Sequence, residues 1–151
     1  MCGIFGYINW DVKQGVSEEK LIEATNVLFH RGPDGGGYYY DPPFFLAHRR
    51  LSIIDIQGGE QPLFSCSGRY GIVFNGEIYN YIELKEELQK LGHKFKTKSD
   101  TEVILNGYIQ WGEKICKKLI GMFAFAIHDR FEKTLFFSRD RVGEKPLFYF
   151  N

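Results

Sequence analysis

Strand-like runs open and close this chain, and its helical patterns are grouped between them. That order restricts the fold more than any single residue does. Residues 3–9 alternate apolar and small side chains and predict a first strand. Ser17 followed by Glu18 and Glu19 predicts a helix start, with Leu21, Ala24, Val27 and Leu28 as its buried stripe. Residues 31–37 read as a glycine-rich turn. Residues 38–40 and 44–48 read as a hairpin across Asp41-Pro42-Pro43, and residues 51–54 as a short extended piece. A further strand over 70–74 stops at Asn75-Gly76. Asn80 with Glu83, and Ser99 with Glu102, look like two capping boxes. The first opens a helix with Leu84, Leu88 and Leu91 on its apolar face and Gly92 as its stop; the second buries Val103, Ile104, Tyr108 and Trp111. A short helical piece over 113–119 and strands over 122–128, 135–138 and 147–150 complete the reading. Clustered strands with helices grouped between them predict an α+β layered architecture with largely antiparallel sheets.

The 151 residues suit one domain, and 44% hydrophobic with 17% aromatic residues is the composition of a chain that folds. Nineteen basic and nineteen acidic side chains cancel without forming a charge block, so neither nucleic acid nor an anionic membrane is expected as a partner. No apolar run is long enough to span a bilayer, and the N-terminus lacks the pattern of a secretory signal. The three cysteines, Cys2, Cys66 and Cys116, are far apart and odd in number, with no metal-ligand spacing. A reduced, cytoplasmic setting is therefore expected.

Cys2 follows Met1 and has a small side chain, so removal of Met1 is expected. That would leave a thiol and a free α-amine on one residue, a nucleophile with its own base beside it. Gly3 and Gly6 permit close approach of a substrate. Asn75-Gly76, an amide side chain next to an unhindered N–H, suits an oxyanion hole, and it equally suits a hairpin turn. Arg50 offers a fork for a carboxylate or a surface ion pair. Asp100 can anchor an amine or stabilise the helix start it occupies. His30, His48, His93 and His128 are each available as a base, but no motif selects one.

Five segments stand out together: Cys2-Gly-Ile-Phe-Gly6, Arg31-Gly-Pro-Asp34, His48-Arg-Arg-Leu-Ser-Ile-Ile-Asp55, Phe74-Asn-Gly-Glu-Ile-Tyr-Asn80 and Ser99-Asp-Thr-Glu102. With Gly121-Met-Phe-Ala-Phe-Ala126 and Ser138-Arg-Asp-Arg-Val-Gly143, they resemble the glutaminase domain of class II glutamine amidotransferases, in its asparagine synthetase branch. The resemblance covers nearly the whole chain. It implies a four-layer αββα N-terminal-nucleophile hydrolase fold. It implies glutamine hydrolysis through a glutamyl thioester on Cys2, with Asn75 and Gly76 as the oxyanion hole. Arg50 matches the residue that holds the α-carboxylate of L-glutamine, Glu77 and Asp100 match groups around its α-amine, and Leu51, Ser52, Ile53 and Ile54 match the backbone beside it. No histidine is required. The resemblance implies no cofactor in residues 1–151; ATP and magnesium are expected only in a following synthetase domain, which would receive the ammonia. The family's domain contains further strands beyond residue 151, so a fragment truncated at its C-terminal end is expected, with a homodimer conceivable through an unpaired edge. Three rivals remain: a non-catalytic glutamine- or partner-binding domain of the same fold, an N-terminal-cysteine hydrolase acting on another amide, and a structural domain in which Cys2 is merely buried.

Overall fold

The computed structural model describes residues 2–11, 15–55 and 58–150, so Met1 and its expected removal lie outside the described residues. A first antiparallel sheet has the order β1 (Gly3–Ile8), β3 (Phe44–Arg50), β2 (Gly35–Asp41). A second, also antiparallel, has the order β4 (Leu63–Phe64), β5 (Tyr70–Ile78), β6 (Gly121–Asp129), β7 (Thr134–Arg139). Helix α1 (Glu18–Asn26) lies against the first sheet; α2 (Tyr81–Lys90) and α3 (Asp100–Trp111) lie against the second.

The period-two alternation of the strands builds the layers. In β3, Phe45 and Ala47 point out to Leu21 of α1, joined by Phe5 and Tyr7 of β1. Leu46, on the opposite face, meets Val73 of β5 and Ala126 of β6, with Ile4 beside them, so the two sheets stack face to face. Ile72, Phe74 and Ile78 of β5, with Phe123, Phe125 and Ile127 of β6, turn the other way onto Leu84, Leu88, Val103, Ile104 and Leu105 of the two helices. This last cluster is the main core, since each fully buried side chain of this size is worth about 1.5–3 kcal/mol. Three apolar seams thus separate four layers, α–β–β–α, as expected.

Several local expectations are corrected. β5 does not stop at Phe74: it continues through Asn75-Gly76 to Ile78, pairing Asn75 with Ala124 and Gly76 with Phe123, so the dipeptide is mid-strand and the hairpin-turn alternative falls. The turn signal loses because the continuous partner strand β6 supplies a ladder past it. Gly35 to Gly37 belong to β2, paired with Arg50, Arg49 and His48. Residues 147–150 form no strand; Phe148, Tyr149 and Phe150 are exposed, and no strand among the described residues pairs with them. The two-residue β4 was too short to leave a pattern. The predicted helical piece is a 3₁₀ turn over Gly112–Lys117. Ser17 and Asn80 occupy cap positions without a side-chain cap bond; the Asn80 side chain instead joins Lys118 O and Ile120 N. Ser99 does cap α3, accepting from Thr101 N at 3.1 Å, whereas Glu102 accepts from Lys96 N and Thr97 N.

Candidate active site

Strand register brings the chemistry-bearing residues to one end of the seam between the sheets. β1 and β3 pair Gly3 with Arg49, so one step further Cys2 stands opposite Arg50. Both share the face of Ile4 and Leu46 that looks at the second sheet. The backbone leaving β3 holds the thiol: Leu51 N–H donates to Cys2 Sγ at 3.3 Å, and Sγ lies 3.6 Å from Leu51 O. Arg31 Nε donates to Cys2 O at 3.0 Å. On β5, Asn75 lies on the same inward face as Val73 and is buried.

The peptide groups of β5 explain why Gly76 belongs here. In an antiparallel ladder the N–H and C=O of alternate residues point to the same side. On β5 the even-numbered residues point away from β6, toward β4. β4 pairs only as far as Leu63 with Ile72. Beyond it no strand among the described residues pairs with this edge, and side chains take over. Phe74 N donates to Gln61 Oε1 at 2.6 Å, His48 Nε2 bonds Phe74 O at 3.0 Å, and Ile78 N donates to Asp100 Oδ2 at 3.0 Å. Gly76 sits between them, so its N–H is directed into the cleft that this edge borders. Glycine is required by packing: a Cβ there would collide with Met122 O of the paired strand.

That cleft, about 580 Å³ including its open mouth, is lined by Cys2, Arg50, Leu51, Ile53, Ile54, Asn75, Gly76, Glu77 and Asp100. Every residue that the resemblance assigns to the site is there except Ser52, which borders a neighbouring groove with its N–H donating to Asp34 Oδ2 at 2.8 Å; Gly3 and Gly6, expected to let a substrate approach, do not line the cleft. The Arg50 guanidinium donates to Asp55 O at 2.6 Å and Ile54 O at 3.3 Å, so the 51–55 segment wraps around it. Gly59 leaves room for that head group, since a Cβ would come within 2.5 Å of Nη2. Asp100 opens α3 while reaching β5, which joins the helix-start reading to a place in the cleft. Burial pushes its carboxyl above the usual range and nearby Glu77 adds to this, while N–H groups from Ile78 and the helix start oppose the rise.

None of the four histidines lines the cleft with Cys2. His48 is buried, and burial pushes it down to about 4 despite its bond to Phe74 O; Arg50 lowers it further. The carbonyl can only accept, so Nε2 carries the proton and the ring is neutral. The unfolded chain binds this proton near the ordinary value of 6.5, and the folded chain only near 4. Between those values the unfolded state holds more protons, so stability falls as pH falls through the window. We predict a loss of about 2 kcal/mol between pH 7.5 and pH 5, read as a lower urea midpoint and abolished in its His48 share by His48→Gln. An equal pH response in that variant would contradict the assignment.

Sequence reasoning missed Gln61, Thr101, Met122 and Lys145, which also line the cleft. Gln61 stands in a loop and belongs to no periodic pattern. Lys145 could have been found by following the motif over 138–143 two residues further. Burial raises the Asp140 carboxyl, but N–H groups of Lys145, Glu144, Phe123 and Gly143 outweigh it and hold it at about 2. The turn they form carries the buried Lys145 to the cleft wall.

The family model described as a glutamine amidotransferase domain matches residues 1–151. The chain is 48% identical over 151 residues to asparagine synthetase [glutamine-hydrolyzing] 1 of Bacillus subtilis (strain 168), covering 99% of this chain and 24% of that protein. It is 40% identical over 148 residues to asparagine synthetase [glutamine-hydrolyzing] 2 of Oryza sativa subsp. japonica, covering 98% and 25%. It therefore spans about a quarter of the length of these curated relatives. Among solved structures, the glutamine phosphoribosylpyrophosphate amidotransferase of B. subtilis superposes with a TM-score of 0.67 at 23% identity, over 92% of this chain and 36% of that one, a likeness of fold.

Proposed function

The chain belongs to the glutamine amidotransferase domain family, and from that membership we propose that it hydrolyses glutamine to glutamate and ammonia with Cys2 as nucleophile. The observation that carries this reading is the convergence of Cys2, Arg50, the Asn75-Gly76 pair and Asp100 on one cleft, from four separate elements. Glutamine docks with its α-carboxylate on the Arg50 fork and its ammonium toward Asp100 and Glu77. The ammonium favours the ionised form of Asp100 and so offsets the burial that raises it. Fixing both ends holds the side-chain amide over Cys2, and such positioning removes up to about 7–11 kcal/mol of barrier in favourable cases.

With Met1 removed, the Cys2 α-amine takes the thiol proton through a water as Sγ attacks the amide carbon. The Asn75 side chain and Gly76 N–H bind the oxyanion. The amine returns the proton to the departing nitrogen, which leaves as ammonia, and water hydrolyses the glutamyl thioester. This sequence uses no metal or cofactor. The ammonia would pass to a synthetase domain of a longer protein, in which ATP and magnesium would supply the activation of an aspartate-like carboxylate; the names of the B. subtilis and rice relatives support asparagine as the product. No helix among the described residues is long and apolar enough to cross a membrane.

Incubation with 6-diazo-5-oxo-L-norleucine, a glutamine-shaped electrophile, tests the reading by intact mass. The expected result is one adduct, mapped to Cys2 of Met1-free protein and prevented by glutamine. A folded, Met1-free protein that takes no adduct would favour the binding-only alternative.

A further inference from the structure

The edge of β5 beyond β4 is held by side chains from three other segments, the loop before β4, β3 and α3, and they flank the Gly76 peptide. Gln61 and His48 both bond Phe74, two residues before Gly76 and on the same edge: Gln61 Oε1 accepts from Phe74 N at 2.6 Å, and His48 Nε2 donates to Phe74 O at 3.0 Å. Gln61 is fixed in turn, its Nε2 donating to Thr101 Oγ1 at 3.3 Å on α3, next to Asp100. His48 lies on β3 two residues before Arg50, is fully buried, and reaches across the seam. Asp100, bonded to Ile78 N, closes the edge on the far side of Gly76. Peptide groups at a bare strand edge take water or shift unless they are paired. Here one amide and one imidazole replace two ladder bonds a longer β4 would have made.

We propose that Gln61 and His48 are positioning residues for the oxyanion hole: by clamping both polar groups of Phe74 they fix where Asn75 and the Gly76 N–H point relative to Cys2 and Arg50. Neither touches the substrate's α-amino or α-carboxylate group in this scheme. Their effect therefore falls on the transition state, in which the oxyanion forms, and not on glutamine binding. The neutral ring of His48 suits the role, since its carbonyl partner needs a donor at Nε2 and its Nδ1 has no partner among the described residues. This inference rests on the glutaminase reading.

Steady-state kinetics of glutamine hydrolysis, with folding verified by circular dichroism, tests it on two pairs of variants. Gln61→Met removes the acceptor at nearly constant volume, and Gln61→Glu keeps it. His48→Leu removes the donor, and His48→Gln can restore one. We expect Gln61→Met and His48→Leu each to lower kcat at least tenfold, with KM for glutamine within about twofold of wild type. The conservative partner in each pair should recover most of the loss. Affinity for L-glutamate γ-semialdehyde, whose thiol adduct is tetrahedral and carries the oxygen in the hole, should fall by the same factor as kcat. Affinity for glutamate should not fall. A kcat unchanged in the folded deleting variants, or a loss carried by KM, overturns the clamp while leaving the glutaminase reading intact. If only one deleting variant folds, its pair decides. A wild-type protein without glutaminase activity overturns both.

Discussion

Cys2→Ala is expected to abolish glutamine hydrolysis, with a fall of roughly 10⁴-fold or more, while leaving glutamine bound. The size follows from the division of labour. Removing the nucleophile of an acyl-transfer site leaves only the catalysis that positioning and the oxyanion hole give water on its own. The fold should survive. Cys2 is half-buried, and its sulfur contacts are two long bonds to the Leu51 backbone, at 3.3 and 3.6 Å. Losing them costs on the order of 1 kcal/mol or less. Calorimetric titration should return a glutamine affinity close to wild type, because Arg50, Asp100 and Glu77 are untouched. Turnover above about one per cent in a preparation free of wild-type enzyme would displace Cys2 from its role.

The α+β class was legible in the order of strands and helices, and the resemblance implied the four layers. Which face each strand residue takes, 45 and 47 against 46 in β3 and 72, 74 and 78 against 73 in β5, was not, because strands buried on both faces read as continuous apolar runs. The places where the reading went astray are those where long-range pairing overrides a local signal. Asn75-Gly76 is a strong turn dipeptide, yet β6 runs alongside it and keeps it extended. The strand predicted over 147–150 has the right residues and no partner strand among the described residues. The cleft residues Arg50, Asp100 and Cys2 were legible as functional types. Gln61 was not, because its importance comes from where β4 ends, a fact about sheet pairing that no residue spacing records. The same holds for Lys145, which arrives at the cleft only through the turn built on Asp140.

Asn75→Ala is expected to lower kcat by about 10²–10³-fold with little change in KM, the loss of one oxyanion donor being worth about 2.7–4 kcal/mol. Of the two donors it is the one that can be removed cleanly. A side chain at Gly76 would collide with Met122 O, so the backbone arm cannot be probed without moving β5 against β6. At Asn75 the substitution only shortens a buried side chain opposite Ala124, and β5 keeps its ladder. The ground-state amide of glutamine is neutral at its oxygen, whereas the tetrahedral intermediate carries a charge there, so the Asn75 N–H groups gain strength only as the reaction proceeds. The cost should therefore appear in formation and hydrolysis of the thioester alike, since both pass through an oxyanion at the same place. Stopped-flow measurement of ammonia release and steady-state rates would show both steps slowed. A variant whose KM rises while kcat holds would make Asn75 a contact to bound glutamine and leave Gly76 to carry the oxyanion alone.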